Sequence, residues 1–189
     1  RVLANATAAG LVCLGKTHMS ELAFSGLGLN PVTATSPNVN DPKAAPGGSS
    51  SGAAASVAFN LAVAGIGSDT GGSVRIPSAW NDLVGLKTTS GRLTLEGVVP
   101  LCLKFDTVGP LARSVEDAAL LLAALEGGRP ADLTGATLKG RRLAVLNTLV
   151  QDDLREEPAR AFAEAVAKFR AAGAEIVEID VPELAEAHK

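Results

Sequence analysis

Two runs rich in glycine and serine constrain this chain more than any other feature: Pro46-Gly47-Gly48-Ser49-Ser50-Ser51-Gly52 and Gly67-Ser68-Asp69-Thr70-Gly71-Gly72-Ser73-Val74-Arg75-Ile76-Pro77. Paired glycines let the backbone turn where a Cβ would forbid it. Each run adjoins a regular element. Residues 63–68 are short and apolar, and read as a buried strand running into Asp69. Residues 51–64 are alanine-rich and read as a helix starting just after the first run.

The rest of the chain alternates in the same way. Residues 11–14 form an apolar run that predicts a buried strand, and residues 19–24 allow a short helix. Residues 26–48 carry Gly, Pro, Asn, Ser and Thr, which predicts a long irregular loop of the kind that is usually functional. A short helix limited by Pro77 is expected over 74–81, and a strand over 83–87. Ser114 with Asp117 three residues on reads as the start of a helix to about Leu125, closed by Gly127 and Gly128. A strand over 142–146, an amphipathic helix over 156–172 closed by Gly173, and a strand over 174–179 complete the pattern. It predicts an α/β fold: a mixed, twisted β-sheet covered by helices on both faces. One domain over 1–189 is expected, with a subdivision near 127–140 as the alternative.

Serine attacks a carbonyl only when a base takes its proton, and the oxyanion that forms must meet preorganised donors. In Thr70-Gly71-Gly72-Ser73 the glycines let successive N–H groups converge, with a hydroxyl directly after them. By itself such a run is more often an ordinary exposed turn; its long context and the second serine loop favour a serine hydrolase. Histidine, the usual helper, is almost absent. Only His18 and His188 occur, so a Ser-His-Asp site has little to draw on. Neither loop closes as a phosphate-binding loop or matches a dinucleotide fingerprint, and no His, Cys, Asp or Glu set has metal-ligand spacing. No cofactor or metal is implied.

Residues 10–125 resemble the amidase signature family of serine hydrolases. The matching stretches are the two serine loops, Gly15-Lys16-Thr17-His18-Met19-Ser20-Glu21-Leu22-Ala23, Gly85-Leu86-Lys87-Thr88, and Phe105-Asp106-Thr107-Val108-Gly109-Pro110 followed by Ala112-Arg113-Ser114. The resemblance implies a Ser-Ser-Lys triad that cleaves a small-molecule amide through an acyl-serine. Ser73 matches the nucleophile, and Ser49 the bridging serine after a cis peptide bond. Backbone N–H groups of Thr70, Gly71 and Gly72 match the oxyanion hole. Asp69, Arg75 and Ser50 match supporting positions. Lys16 matches a supporting position, not the base, which in the family lies upstream of the Gly-Lys-Thr segment; these 189 residues alone are therefore expected to be inactive. Ser51, Ala53 and His18 depart from common family residues. Phe105-Asp106-Thr107 stands where glutaminase subunits of tRNA-dependent amidotransferases carry a Leu-Asp-Gln-type segment. That favours a free-standing amidase over such a glutaminase, with ureido-type substrates also open. A non-catalytic relic of the fold is the remaining alternative.

Bulk properties set the outer bounds. The chain is 47% hydrophobic and 20% charged with a net charge of −3. It has no basic stripe for nucleic acid and no apolar run long enough to span a bilayer. Cys13 and Cys102 read as two buried, reduced thiols of a cytoplasmic protein. The helix over 156–172 could pack in a homodimer. Arg1 opens inside a helical pattern, and residues 183–188 read as the start of another helix, so both ends are expected to continue into a larger protein.

Overall fold

The computed structural model describes residues 1–186; His188 lies outside them. The chain divides into two compact units, residues 1–132 and 133–189. The boundary falls within the segment 127–140. Among the described residues no helix is long and apolar enough to cross a membrane.

The first unit contains α1 (Val2–Ala8), a 3₁₀ turn (Glu21–Ala23), α2 (Ser51–Ala58), β1 (Gly65–Asp69), α3 (Arg75–Trp80), β2 (Val84–Gly85), β3 (Thr107–Ala112) and α4 (Val115–Glu126). Its sheet is antiparallel, in the order β1-β3-β2. Gly65 pairs with Leu111, Asp69 with Thr107, and Gly85 with Leu111. β3 is buried at every position. The sequence pattern places no element there, and Phe105 to Pro110 stands only as a matching stretch of the family. Pro110 lacks an N–H, but its carbonyl still accepts from Leu86 N at 3.0 Å, so the ladder continues on that side.

Two apolar clusters hold this unit. Val2, Ala6, Leu93, Val108, Leu121 and Leu125 form one; Ala53, Ala54, Val74 and Leu111 form the other. The second is built mostly from small residues because α2 lies almost on the strands. A Cβ added at Gly65 would sit 3.1 Å from the Ala53 carbonyl oxygen. α4 is capped as expected: Ser114 Oγ accepts from Asp117 N at 3.0 Å, and Gly127 adopts φ 75°.

Several expectations are corrected. α2 stops at Ala58 rather than Ala64, because Asn60 turns left-handed at φ 59° and Leu61 N bonds back to Ser56 O at 2.8 Å. Asparagine tolerates that conformation, and the helix ends there despite its alanine content. Residues 11–14 form no ladder and are irregular, with Val12 and Leu14 exposed. Apolar character alone does not make a strand without a partner edge. Cys13 is accordingly exposed and Cys102 half-buried, both free, rather than both buried.

The second unit is a βαβ arrangement: β4 (Arg142–Leu146), α5 (Glu156–Ala171) and β5 (Glu175–Ile179), with β4 and β5 parallel in register Arg142 to Glu175. A short α6 (Glu183–Glu186) follows. Glu156 and Glu157 in the first turn of α5 and Lys168 and Arg170 in the last complement the helix dipole. The α/β class is as predicted, with the strands grouped into a three-stranded and a two-stranded sheet.

A Cβ at Gly109 would lie 2.1 Å from the Leu86 carbonyl oxygen, whereas one at Gly128 meets nothing within 4 Å. Gly109→Ala is expected to destabilise by about 1–3 kcal/mol or prevent folding, and Gly128→Ala to stay within about 0.5 kcal/mol, as read by urea unfolding.

Candidate active site

β1 delivers Asp69 to its end fully buried, and the chain then folds back around that carboxylate. Oδ1 accepts from Gly72 N at 2.8 Å and Arg75 Nη2 at 2.9 Å; Oδ2 accepts from Val74 N at 3.1 Å, Arg75 N at 3.3 Å and Arg75 Nε at 3.1 Å. Burial works to raise the Asp69 pKa. The Arg75 side chain and the N–H groups of Val74 and Arg75 outweigh it and hold the carboxyl below the ordinary aspartate value. The turn also needs its glycine: Gly72 has φ 129°, and a Cβ there would lie 2.7 Å from Ile76 Cδ1. Ser73 sits at the crest of this turn, half-buried, between two residues tied to Asp69.

The second loop reaches the same place from α2. Gly48 N donates to Gly26 O at 2.8 Å and Gly47 N to Leu27 O at 3.1 Å. A Cβ on Gly48 would overlap Gly28 N at 2.5 Å, so two backbones pass closer than side chains permit. The Gly48–Ser49 peptide is cis. Ser49 O accepts from Ser20 N at 3.0 Å, and Gly52 N donates to His18 O at 2.8 Å, which docks residues 18–20 along the loop. Ser50 N donates to Ser73 O at 3.1 Å and joins the two serine loops. Ser50 Oγ reaches Ser68 O at 3.4 Å. Ser49 is fully buried, and its Oγ has no hydrogen-bond partner among the described residues. A buried hydroxyl without a partner is rare and costly in a folded protein.

The two serine loops are thus joined through Ser50 and Ser73, and one expectation is corrected. Gly72 N–H, expected to face an oxyanion, is committed to Asp69 Oδ1. The carboxylate needs that donor to be tolerated in its buried position. Thr70 is half-buried and Gly71 exposed; neither N–H donates to an acceptor among the described residues. Lys16 and His18 are exposed, and His18 Nδ1 faces Thr33 Oγ1 at 3.5 Å.

In the sequence, Asp106, Thr107 and Ser20 stand only as parts of matching stretches, and Asn81 carries no mark at all. Asp106 is buried and accepts from Thr70 Oγ1 at 2.5 Å, Leu101 N at 2.9 Å and Cys102 N at 3.0 Å. Asn81 ties Pro46 O (2.7 Å) and Pro77 O (2.8 Å) together and accepts from Val39 N, so it links the first serine loop to α3. No local pattern picks out either residue, because Thr70 lies 36 positions from Asp106 and Pro46 lies 35 from Asn81.

Asp69 has its folded-state pKa lowered, so its stabilising contribution is complete above the unfolded value of about 3.9 and is lost as pH falls through the folded value. Thermal unfolding should show an acid limb below about pH 4 that is shallower in Asp69→Asn. Arg75 is half exposed, so Arg75→Ala should cost only about 1–2 kcal/mol at neutral pH.

Known proteins resemble this chain in sequence, and one solved structure also in fold. A glutamyl-tRNA(Gln) amidotransferase subunit of Synechococcus sp. (strain JA-2-3B'a(2-13)) is 39% identical over 96% of this chain and 38% of its own length. The 2-amino-5-chloromuconic acid deaminase of Comamonas testosteroni is 41% identical over 93% of this chain and 39% of its own. The crystal structure of a glutamyl-tRNA(Gln) amidotransferase subunit from Thermotoga maritima superimposes with a TM-score of 0.88 at 30% identity, over 96% of this chain and 43% of that one. The chain spans less than half the length of each. The pattern of the Amidase family matches residues 1–189, and the chain belongs to that family, the amidase signature proteins.

Proposed function

We propose that this chain carries the acyl-transfer part of an amidohydrolase that cleaves a carboxamide or ureido-type C–N bond. The observation that carries the reading is the buried Ser49 hydroxyl: it has no partner among the described residues, and its neighbour Ser50 is bonded to Ser73. A buried hydroxyl left free at the nucleophile's loop suits a proton bridge.

In the reaction, Ser73 Oγ attacks the substrate carbonyl carbon and passes its proton to Ser49. Ser49 hands its own proton to a neutral lysine, which delivers it to the leaving nitrogen. The C–N bond breaks, ammonia or an amine departs, and an acyl-Ser73 ester remains for water to hydrolyse by the reverse proton path. The N–H groups of Thr70 and Gly71 stabilise the oxyanion, while Gly72 serves Asp69. Asp69 and Arg75 hold the crest in shape, and Ser50 latches the two loops. Lys16 is exposed and matches a supporting position of the family pattern, so the reading assigns the base to a lysine outside these 189 residues, without which the chain alone is inactive. No cofactor or metal enters.

The name of the Synechococcus relative favours a second reading, a glutaminase that passes ammonia to a partner. Phe105-Asp106-Thr107 weighs against it. A fluorophosphonate applied to the whole protein should label Ser73, and labelling elsewhere overturns the assignment. Ser73→Ala should abolish turnover, and Ser49→Ala should lower kcat by about 10²–10⁴-fold without unfolding. Release of ammonia from glutamine, with little from other carboxamides, would favour the glutaminase. Failure of the whole protein to react with any amide or with the probe would leave a non-catalytic relic.

A further inference from the structure

Two neighbouring residues at the start of β3, Asp106 and Thr107, grip the turn that carries Thr70. Thr107 Oγ1 donates to the Asp69 carbonyl oxygen at 2.8 Å. That carbonyl therefore faces β3, consistent with the pairing of Asp69 with Thr107. In a trans peptide plane the C=O and the following N–H point in opposite directions. The Thr70 N–H, which shares its plane with the Asp69 carbonyl, therefore points away from β3. Successive carbonyls of a strand alternate in direction, so the Ser68 carbonyl also points away from β3. There it meets Ser50 Oγ at 3.4 Å. The Thr70 N–H thus projects on the side occupied by the Ser49-Ser50 loop.

The side chain of Thr70 is fixed by the residue just before Thr107. Its hydroxyl donates to Asp106 Oδ1 at 2.5 Å, while Leu101 N and Cys102 N hold the rest of that carboxylate. Asp106 and Thr107 are both buried. Burial works to raise the Asp106 pKa, but the Thr70 hydroxyl and the N–H groups of Cys102 and Leu101 hold it below the ordinary value, so it stays an anion able to grip Thr70. One residue grips the side chain of Thr70 and its neighbour grips the peptide in front of it.

We infer that Asp106 and Thr107 are positioning residues that aim the Thr70 N–H at the oxyanion. The inference rests on Ser73 being the nucleophile. It gives the start of β3 a direct part in transition-state geometry without contact to substrate.

The test uses the whole protein and compares Thr107→Val, Thr107→Ser and Asp106→Asn. For each, kcat and KM on a carboxamide, affinity for a boronic acid that forms a tetrahedral serine adduct, affinity for the carboxylic acid product, and the melting temperature are measured. Losing the aim of one oxyanion donor should lower kcat in Thr107→Val on the order of 10²-fold. KM and product affinity should change little, and boronic acid affinity should fall in step with kcat. Thr107→Ser, which keeps the hydroxyl, should restore most of the rate. Asp106→Asn should show the same split and supplies it should the valine variant not fold. Unchanged kcat in the folded valine variant, an equal loss of product and boronic acid affinity, or no rescue by serine would overturn the inference. Mapping the fluorophosphonate on the wild-type protein reads the Ser73 assignment separately. Label on another residue removes that assignment and this inference with it; label on Ser73 leaves the variants to decide.

Discussion

The carboxylate of Asp69 is the interaction on which the site depends. A buried anion is tolerated only when its oxygens are filled by donors, and here five bonds come from three residues within the next six positions. To supply them, the chain must wrap around the end of β1 and present Gly72, Val74 and Arg75 inward. Ser73, between them, is left at the crest. The same demand takes Gly72's N–H from any other role. Shape and electrostatics are therefore one constraint: the path that satisfies the charge is the path that raises the serine.

The second serine loop is positioned by absence of side chains more than by charge. Gly28, Gly47 and Gly48 let stretches of backbone pass where a Cβ would overlap, and Gly65 lets α2 settle on the sheet. Ala53 and Ala54 then pack with Val74 and Leu111. This explains why a chain so poor in aromatics still has a defined centre: short side chains bring helix, strand and loop backbones within hydrogen-bond reach. Ser49 ends up buried with its carbonyl used and its hydroxyl without a partner among the described residues, while Ser50 closes the gap to Ser73.

Much of this was legible locally. The cap residues Ser114 and Gly127 mark both ends of α4 because capping chemistry acts within one turn. The Gly-Ser runs announce tight turns for the same reason. Other features were not legible because their cause lies elsewhere in the chain. Residues 11–14 have strand-like composition but form no ladder, so Cys13 is exposed. β3 carries Gly109-Pro110, a pair that disfavours a strand, yet pairing with β1 on one side and β2 on the other makes it a fully buried strand. Asp106 stands inside a matching stretch with no visible role, since its partner Thr70 is 36 positions away.

The sequence by itself determined the two serine loops, the residue types at each point of the turn, the α/β alternation and the family resemblance. All of these are written in short-range spacing and backbone permissiveness. Tertiary structure alone decided which N–H groups around Ser73 are occupied, which hydroxyl is buried without a partner among the described residues, and that Asp106 and Thr107, at the start of β3, hold Thr70 and the Asp69 carbonyl. Those are properties of hydrogen-bond direction across strands, and no local pattern encodes the direction in which a peptide plane faces once its neighbour has been chosen.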